Sequence, residues 1–107
     1  MTLERHPAVV AEDMPRIYAF IARDDSAAAE QMLDAVERTF EQLRQQPESG
    51  VRYRTTNRKV NDVRMLPATG FENYLVFYRV EDEIVRILYL LHGGRHLRRL
   101  FRREPRT

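Results

Sequence analysis

Ile84 to Leu91 is the stretch that most constrains what this chain can become. Seven of its eight residues are aliphatic or aromatic, with only Arg86 among them. Such a run falls well short of a membrane span and reads as a central strand covered on both faces. Before it, Glu81-Asp82-Glu83 is a tight polar turn, and Tyr74 to Val80 is rich in aromatic and β-branched residues. The two runs therefore predict a β-hairpin, which Gly93-Gly94 ends. Upstream, Val60 to Leu66 reads as a strand closed by Pro67, and Ala68 to Asn73 as a loop containing Gly70. Residues 2–6 form a candidate edge strand.

The first half has a different period. Ala29, Met32, Leu33, Val36, Phe40 and Leu43 recur every three or four residues. That is one face of an amphipathic helix from Ala27 to Gln45, stopped before the turn Pro47-Glu48-Ser49-Gly50. Ala8 to Arg23 is also helical in pattern, with Pro15 inside it. Either Asp13 caps a fresh helix with Pro15 in its first turn, or one kinked helix runs through. The short break Asp24-Asp25-Ser26 makes the pair an αα-hairpin. The order predicts an α+β domain spanning 1–107, with an N-terminal helical hairpin packed on a small antiparallel or mixed sheet. No helix is left for the second sheet face, which is expected to stay open and to receive a partner.

Charge divides along the same line. Residues 1–50 hold five Arg and ten acids, and residues 51–107 hold twelve Arg, one Lys and six acids. The second half should attract an anionic partner, either nucleic acid or an acidic protein segment. There is no cysteine, so disulfides, thiolate ligands and cysteine nucleophiles are excluded. That composition suits a reducing cytoplasm. The N-terminus lacks an apolar h-region, and neither a signal peptide nor a membrane span is expected.

In this order and spacing, several segments resemble the ParE/RelE toxin family. Glu12 to Ala22 resembles its first helix, and Ala28-Ala29-Glu30 with Leu43 and Pro47 to Gly50 its second. Val63 to Leu66, Tyr74 to Val80 and Ile87 to Arg95 resemble its strands. The resemblance spans nearly the whole chain and implies the toxin of a type II toxin–antitoxin (plasmid stabilization) system, held by a cognate ParD-like antitoxin. In the RelE branch, ribosome-dependent RNases carry an arginine after the tyrosine of the penultimate strand, where this chain has Leu75. They carry another after the last strand, which Arg95 matches, and a C-terminal tyrosine, where this chain has Phe101. Phenylalanine has no proton to exchange. One of three positions survives, so the resemblance points to the ParE branch, whose members inhibit DNA gyrase by binding. Ribosome-dependent mRNA cleavage through Arg95 and His96 is the alternative. An inactive relative that only binds its antitoxin is a third reading.

The candidate binding residues are Arg64, Arg79, Arg86, His92, Arg95, Arg98, Arg99 and Arg102. Arg64, Arg79 and Arg86 are expected on the open face, either as a cationic groove or as solvated partners of Glu81 to Glu83. Strand alternation places Arg86 on one face with Leu88, Leu90 and His92. Six arginines from Arg95 to Arg106 oppose only Glu104, more than solubility requires. His92 and His96 straddle two glycines and are not expected to share a helical face. No metal site, cofactor or catalytic group is expected on the binding reading. Tyr74, Tyr78 and Tyr89 either stack on bases or pack against the helices.

Overall fold

A computed structural model describes residues 1–53, 62–97 and 105–107. Its elements run β1 (Thr2–Arg5), a π-helical segment (Val9–Asp13), α1 (Met14–Ala22), α2 (Ser26–Gln45), β2 (Val51–Arg52), β3 (Arg64–Ala68), β4 (Phe71–Glu81) and β5 (Ile84–His92). The strands form one sheet in the order β1-β5-β4-β3-β2. β1 runs parallel to β5, and the other neighbours are antiparallel. The architecture is therefore α+β, with a helical hairpin on a mixed sheet. Among the described residues, no helix is long and apolar enough to cross a membrane.

The amphipathic stripe of α2 sets the core. Met32, Val36, Phe40 and Leu43 pack with Val9 and Ile17 onto Val76, Tyr78, Val85, Ile87 and Leu90. Asp25 starts α2 from an extended conformation, and its carboxylate accepts the Ala28 N–H at 3.0 Å, a standard helix cap. Asp13 does not cap α1. Its backbone is helical and makes no side-chain cap bond, so the π-helical segment and α1 form one irregular helix with Pro15 near the junction. The π geometry turns the Asp13 carboxylate inward, where it is fully buried.

The second sheet face is not open. Val63, Phe77, Leu88, Tyr89 and Leu91 are buried there, with Tyr53, Met65, Leu75 and Leu97 packed against them. This agrees with the near-continuous apolar character of β5 and corrects the expected uncovered face. The 68–73 loop is also corrected. Ala68 pairs with Phe71, leaving a two-residue turn at Thr69-Gly70, with Gly70 at φ +82°. Pro67 lies inside β3 rather than after it. β2 pairs only as far as Met65, so β3 is an edge at Pro67, and the register shifts beside it. The expected strand at residues 60–66 begins at Arg64, and residues 60 and 61 lie outside the described residues. β2 was not anticipated. The Glu81–Ile84 hairpin closes through Asp82 and Glu83, both at positive φ, the backbone that two-residue hairpins favour.

A bulge in β5 reorganises what alternation predicts. Tyr89 pairs with Phe77 and Ile87 with Tyr78, so Leu88 is an extra residue. Leu88 and Tyr89 then lie on the same side, away from the helices, while Leu90 turns toward them. His92 follows Leu90 and pairs with Tyr74 on the helical side.

Candidate functional site

The bulge separates two residues expected together. Arg86 lies before it, on the face away from the helices, and His92 lies after it, on the helical side. Arg86 sits directly opposite Arg79 in the ladder. Each cation has carboxylate partners. Arg79 Nε donates to Asp62 at 2.7 Å and lies 3.4 Å from Glu81. Arg86 donates to Glu4 at 2.9 Å, and Glu4 is also its register partner in β1. The two like charges tolerate their apposition because each is neutralised from its own side.

Arg64 departs from expectation. It pairs with Tyr78, which packs beneath the helices, so Arg64 shares that side rather than the opposite face. Its guanidinium donates to Gly50 O at 2.9 Å. Gly50 is held tightly: its N–H donates to Tyr78 Oη at 2.9 Å, and Tyr78 Oη donates to Pro47 O at 2.7 Å. A Cβ at residue 50 would come within 2.6 Å of Tyr78 Oη, so the turn requires glycine there. Tyr78 is thus a core clamp, and burial raises its pKa. Tyr74 and Tyr89 are also buried, which leaves no ring face of the three open for stacking.

The end of β5 gathers Phe20, Tyr74, His92, Arg95 and His96. The Arg95 guanidinium lies 3.8 Å from the centre of the exposed Phe20 ring, and Nη2 reaches Tyr74 Oη at 3.3 Å. His92 meets Tyr74 edge-on at 5.2 Å and His96 edge-on at 6.3 Å. The two histidines share no helical face, since His92 ends β5, yet their rings come together. The turn over residues 93–96 folds back on itself and brings them together. His92 Nδ1 accepts the Gly94 and Arg95 N–H groups at 3.1 and 3.2 Å, and His96 Nδ1 accepts the His92 N–H at 3.2 Å. An Nδ1 that accepts carries no proton, so His92 is the neutral tautomer with its proton on Nε2. Burial first, then the Arg95 charge, lowers its pKa. Among the described residues, no group of three or more His, Asp and Glu is placed to hold a metal. Arg98, Arg99 and Arg102, like Phe101, lie outside the described residues.

A second feature lies on the helices. An apolar groove of about 430 Å³ is lined by Arg5, Val10, Met14, Pro15, Tyr18, Glu30 and Leu33. Val10 and, farther along α1, Phe20 are large apolar residues left half exposed. The sequence did not announce this groove, because it forms only where α1, α2 and the end of β1 meet.

Comparison with known proteins agrees with this geometry. One solved structure, from a chromosomal ParDE toxin–antitoxin system of P. aeruginosa, superposes with a TM-score of 0.68 at 18% identity, covering 86% of this chain and 95% of that one. At that identity the match speaks for the fold. No curated protein matches. The family model for the ParE toxin of the type II toxin–antitoxin system parDE matches residues 6–97. That match takes in the irregular first helix, the α2 stripe, the β4–β5 hairpin and the histidine turn, and the chain belongs to the ParE toxin family.

Proposed function

We propose that this protein is a toxin that inhibits DNA gyrase by protein–protein binding and is neutralised by a cognate ParD-like antitoxin. The observation that carries the choice of target is Leu75. It occupies the position of an RNase-branch arginine and packs into the apolar cluster on the second sheet face. No cation can therefore reach a scissile phosphate from that position. The Nδ1 atoms of His92 and His96 are engaged in holding the 93–96 turn, which suits a scaffold role. Arg95, exposed above Phe20, is the described cation best placed to meet an acidic partner surface.

The groove between α1 and α2 fits an antitoxin segment with apolar side chains. Met14, Pro15 and Leu33 supply apolar lining, and Arg5 and Glu30 supply charges of both signs. A segment that folds on binding gains most from such a preformed apolar surface.

The gathering of Tyr74, His92, Arg95 and His96 supports a second reading, ribosome-dependent mRNA cleavage through Arg95 and His96. Purified protein should be assayed for DNA supercoiling by gyrase and for cleavage of ribosome-bound mRNA. Loss of supercoiling with intact mRNA is expected, and mRNA cleavage with unaffected gyrase would overturn the proposal. His96→Ala is expected to retain most growth arrest, whereas loss of a general acid or base would cost about 10²–10⁴ in rate. Co-expression with the product of the neighbouring reading frame should yield a stable complex.

A further inference from the structure

Arg106 stands near the end of the chain, yet its side chain is only 14% exposed. Its guanidinium enters between the π-helical segment and β5. Nη1 donates to Asp13 Oδ2 at 2.5 Å and to Leu88 O at 3.1 Å, and Nη2 donates to Asp13 Oδ1 at 3.0 Å. The Tyr89 ring centre lies 4.6 Å from the guanidinium carbon. Tyr89 Oη accepts the Arg106 backbone N–H at 2.8 Å, and Glu12 lies 3.7 Å from Nη2. A carboxylate meeting two guanidinium nitrogens, a carbonyl and an aromatic ring together suit a guanidinium far better than an ammonium.

The strand ladder explains why the seat lies here. β1 flanks β5 only as far as Ile87, and the His6 N–H closes that edge on Ile87 O at 2.8 Å. The bulge then presents Leu88 O and Leu90 N–H. Arg106 takes the first, and Asp13 accepts the second at 3.0 Å. The ion pair thus continues the edge of β5 where β1 has stopped. Arg16 also donates to Asp13, at 3.0 Å, through a guanidinium nearer the surface.

We propose that Asp13, Leu88 O and the Tyr89 ring form a guanidinium-binding seat, which the chain fills in cis with Arg106 as a latch on its own C-terminus. Filling the seat completes the edge of β5. Emptying it leaves the buried carboxylate with only the Leu90 N–H and Arg16 as partners, and so creates a vacancy for an external guanidinium.

The test uses the full chain carrying Arg106→Ala, with methylguanidinium as the probe and methylammonium as the control. Melting temperature and hydrogen exchange at the Leu90 amide are measured. The variant should melt lower and exchange at Leu90 at least about tenfold faster. Millimolar methylguanidinium should reverse both effects saturably, and methylammonium should not. An Asp13→Asn, Arg106→Ala double variant should show no saturable response. No response in Arg106→Ala, an equal response to methylammonium, or an equal response in the double variant would overturn the seat. If Arg106→Ala does not fold, Arg106→Lys keeps the charge and loses the fork. It should melt below the wild type and exchange faster at Leu90, and wild-type values for both would refute the proposal.

Discussion

Two ion pairs lie on the same edge of β5. Glu4–Arg86 spans the β1–β5 ladder, with side chains 48% and 36% exposed. Asp13–Arg106 lies beyond the end of β1, with the carboxylate wholly buried. In the first, the backbone is already paired and water solvates both charges, so the side chains add little. In the second, the charges themselves satisfy the strand, and water is not available to replace them. A carboxylate and an arginine therefore decorate one end of the edge and build the other.

Removing the buried acid should break the comparison most visibly. Asp13→Ala strands the Leu90 N–H and leaves Arg106 partly buried without its partner, a loss of about 3 kcal/mol or more. For a domain of this size, that is a fall in melting temperature on the order of 10 °C by calorimetry. Tyr78→Phe is the neutral counterpart. It deprives Gly50 N–H and Pro47 O of their partner and should cost about 1–2 kcal/mol in chemical denaturation.

Acidification probes the far end of β5. The folded-state pKa of His92 lies below its ordinary value near 6.5, so folding favours the neutral ring. Its contribution is complete above that value and is lost as pH falls through the window beneath it. His6 shifts the same way, through burial and then the Arg106 charge. Melting temperature should therefore decline on acidification just below pH 6.5, and His92→Asn should flatten the decline. The smallest effect belongs to Glu4→Gln, which should change stability by less than about 0.5 kcal/mol and should matter less as salt is raised. A loss comparable to that of Asp13→Ala would erase the distinction between the two pairs.

Much of this architecture was legible in the chain. The α2 stripe, the break at Asp24-Asp25-Ser26 and the β4–β5 hairpin follow from local periodicity and turn chemistry, which depend on near neighbours. The candidate site was read less completely. Arg79 and Arg86 were located on the correct face, but Arg64 and His92 were not. Alternation fails silently at a bulge, and nothing in Ile87-Leu88-Tyr89 announces one. Asp13 was read as a possible helix cap because that is what an acid before Met14-Pro15 most often does. Its true partners lie 77 and 93 residues away, at Leu90 and Arg106. Arg106 was indistinguishable from the other tail arginines.

The sequence by itself determined where helices and strands form, that the chain divides into an acidic half and a basic half, and which family its ordered segments resemble. Those properties are set by periodicity, composition and residues close along the chain. Tertiary structure decided which cations face which side, that the histidines converge on one turn, and that one tail arginine is buried against Asp13. These depend on where β1 stops, where β5 bulges and which polar groups are thereby cut off from water. A buried N–H, carbonyl or carboxylate needs a partner, and only the folded chain determines which residue is near enough to supply it.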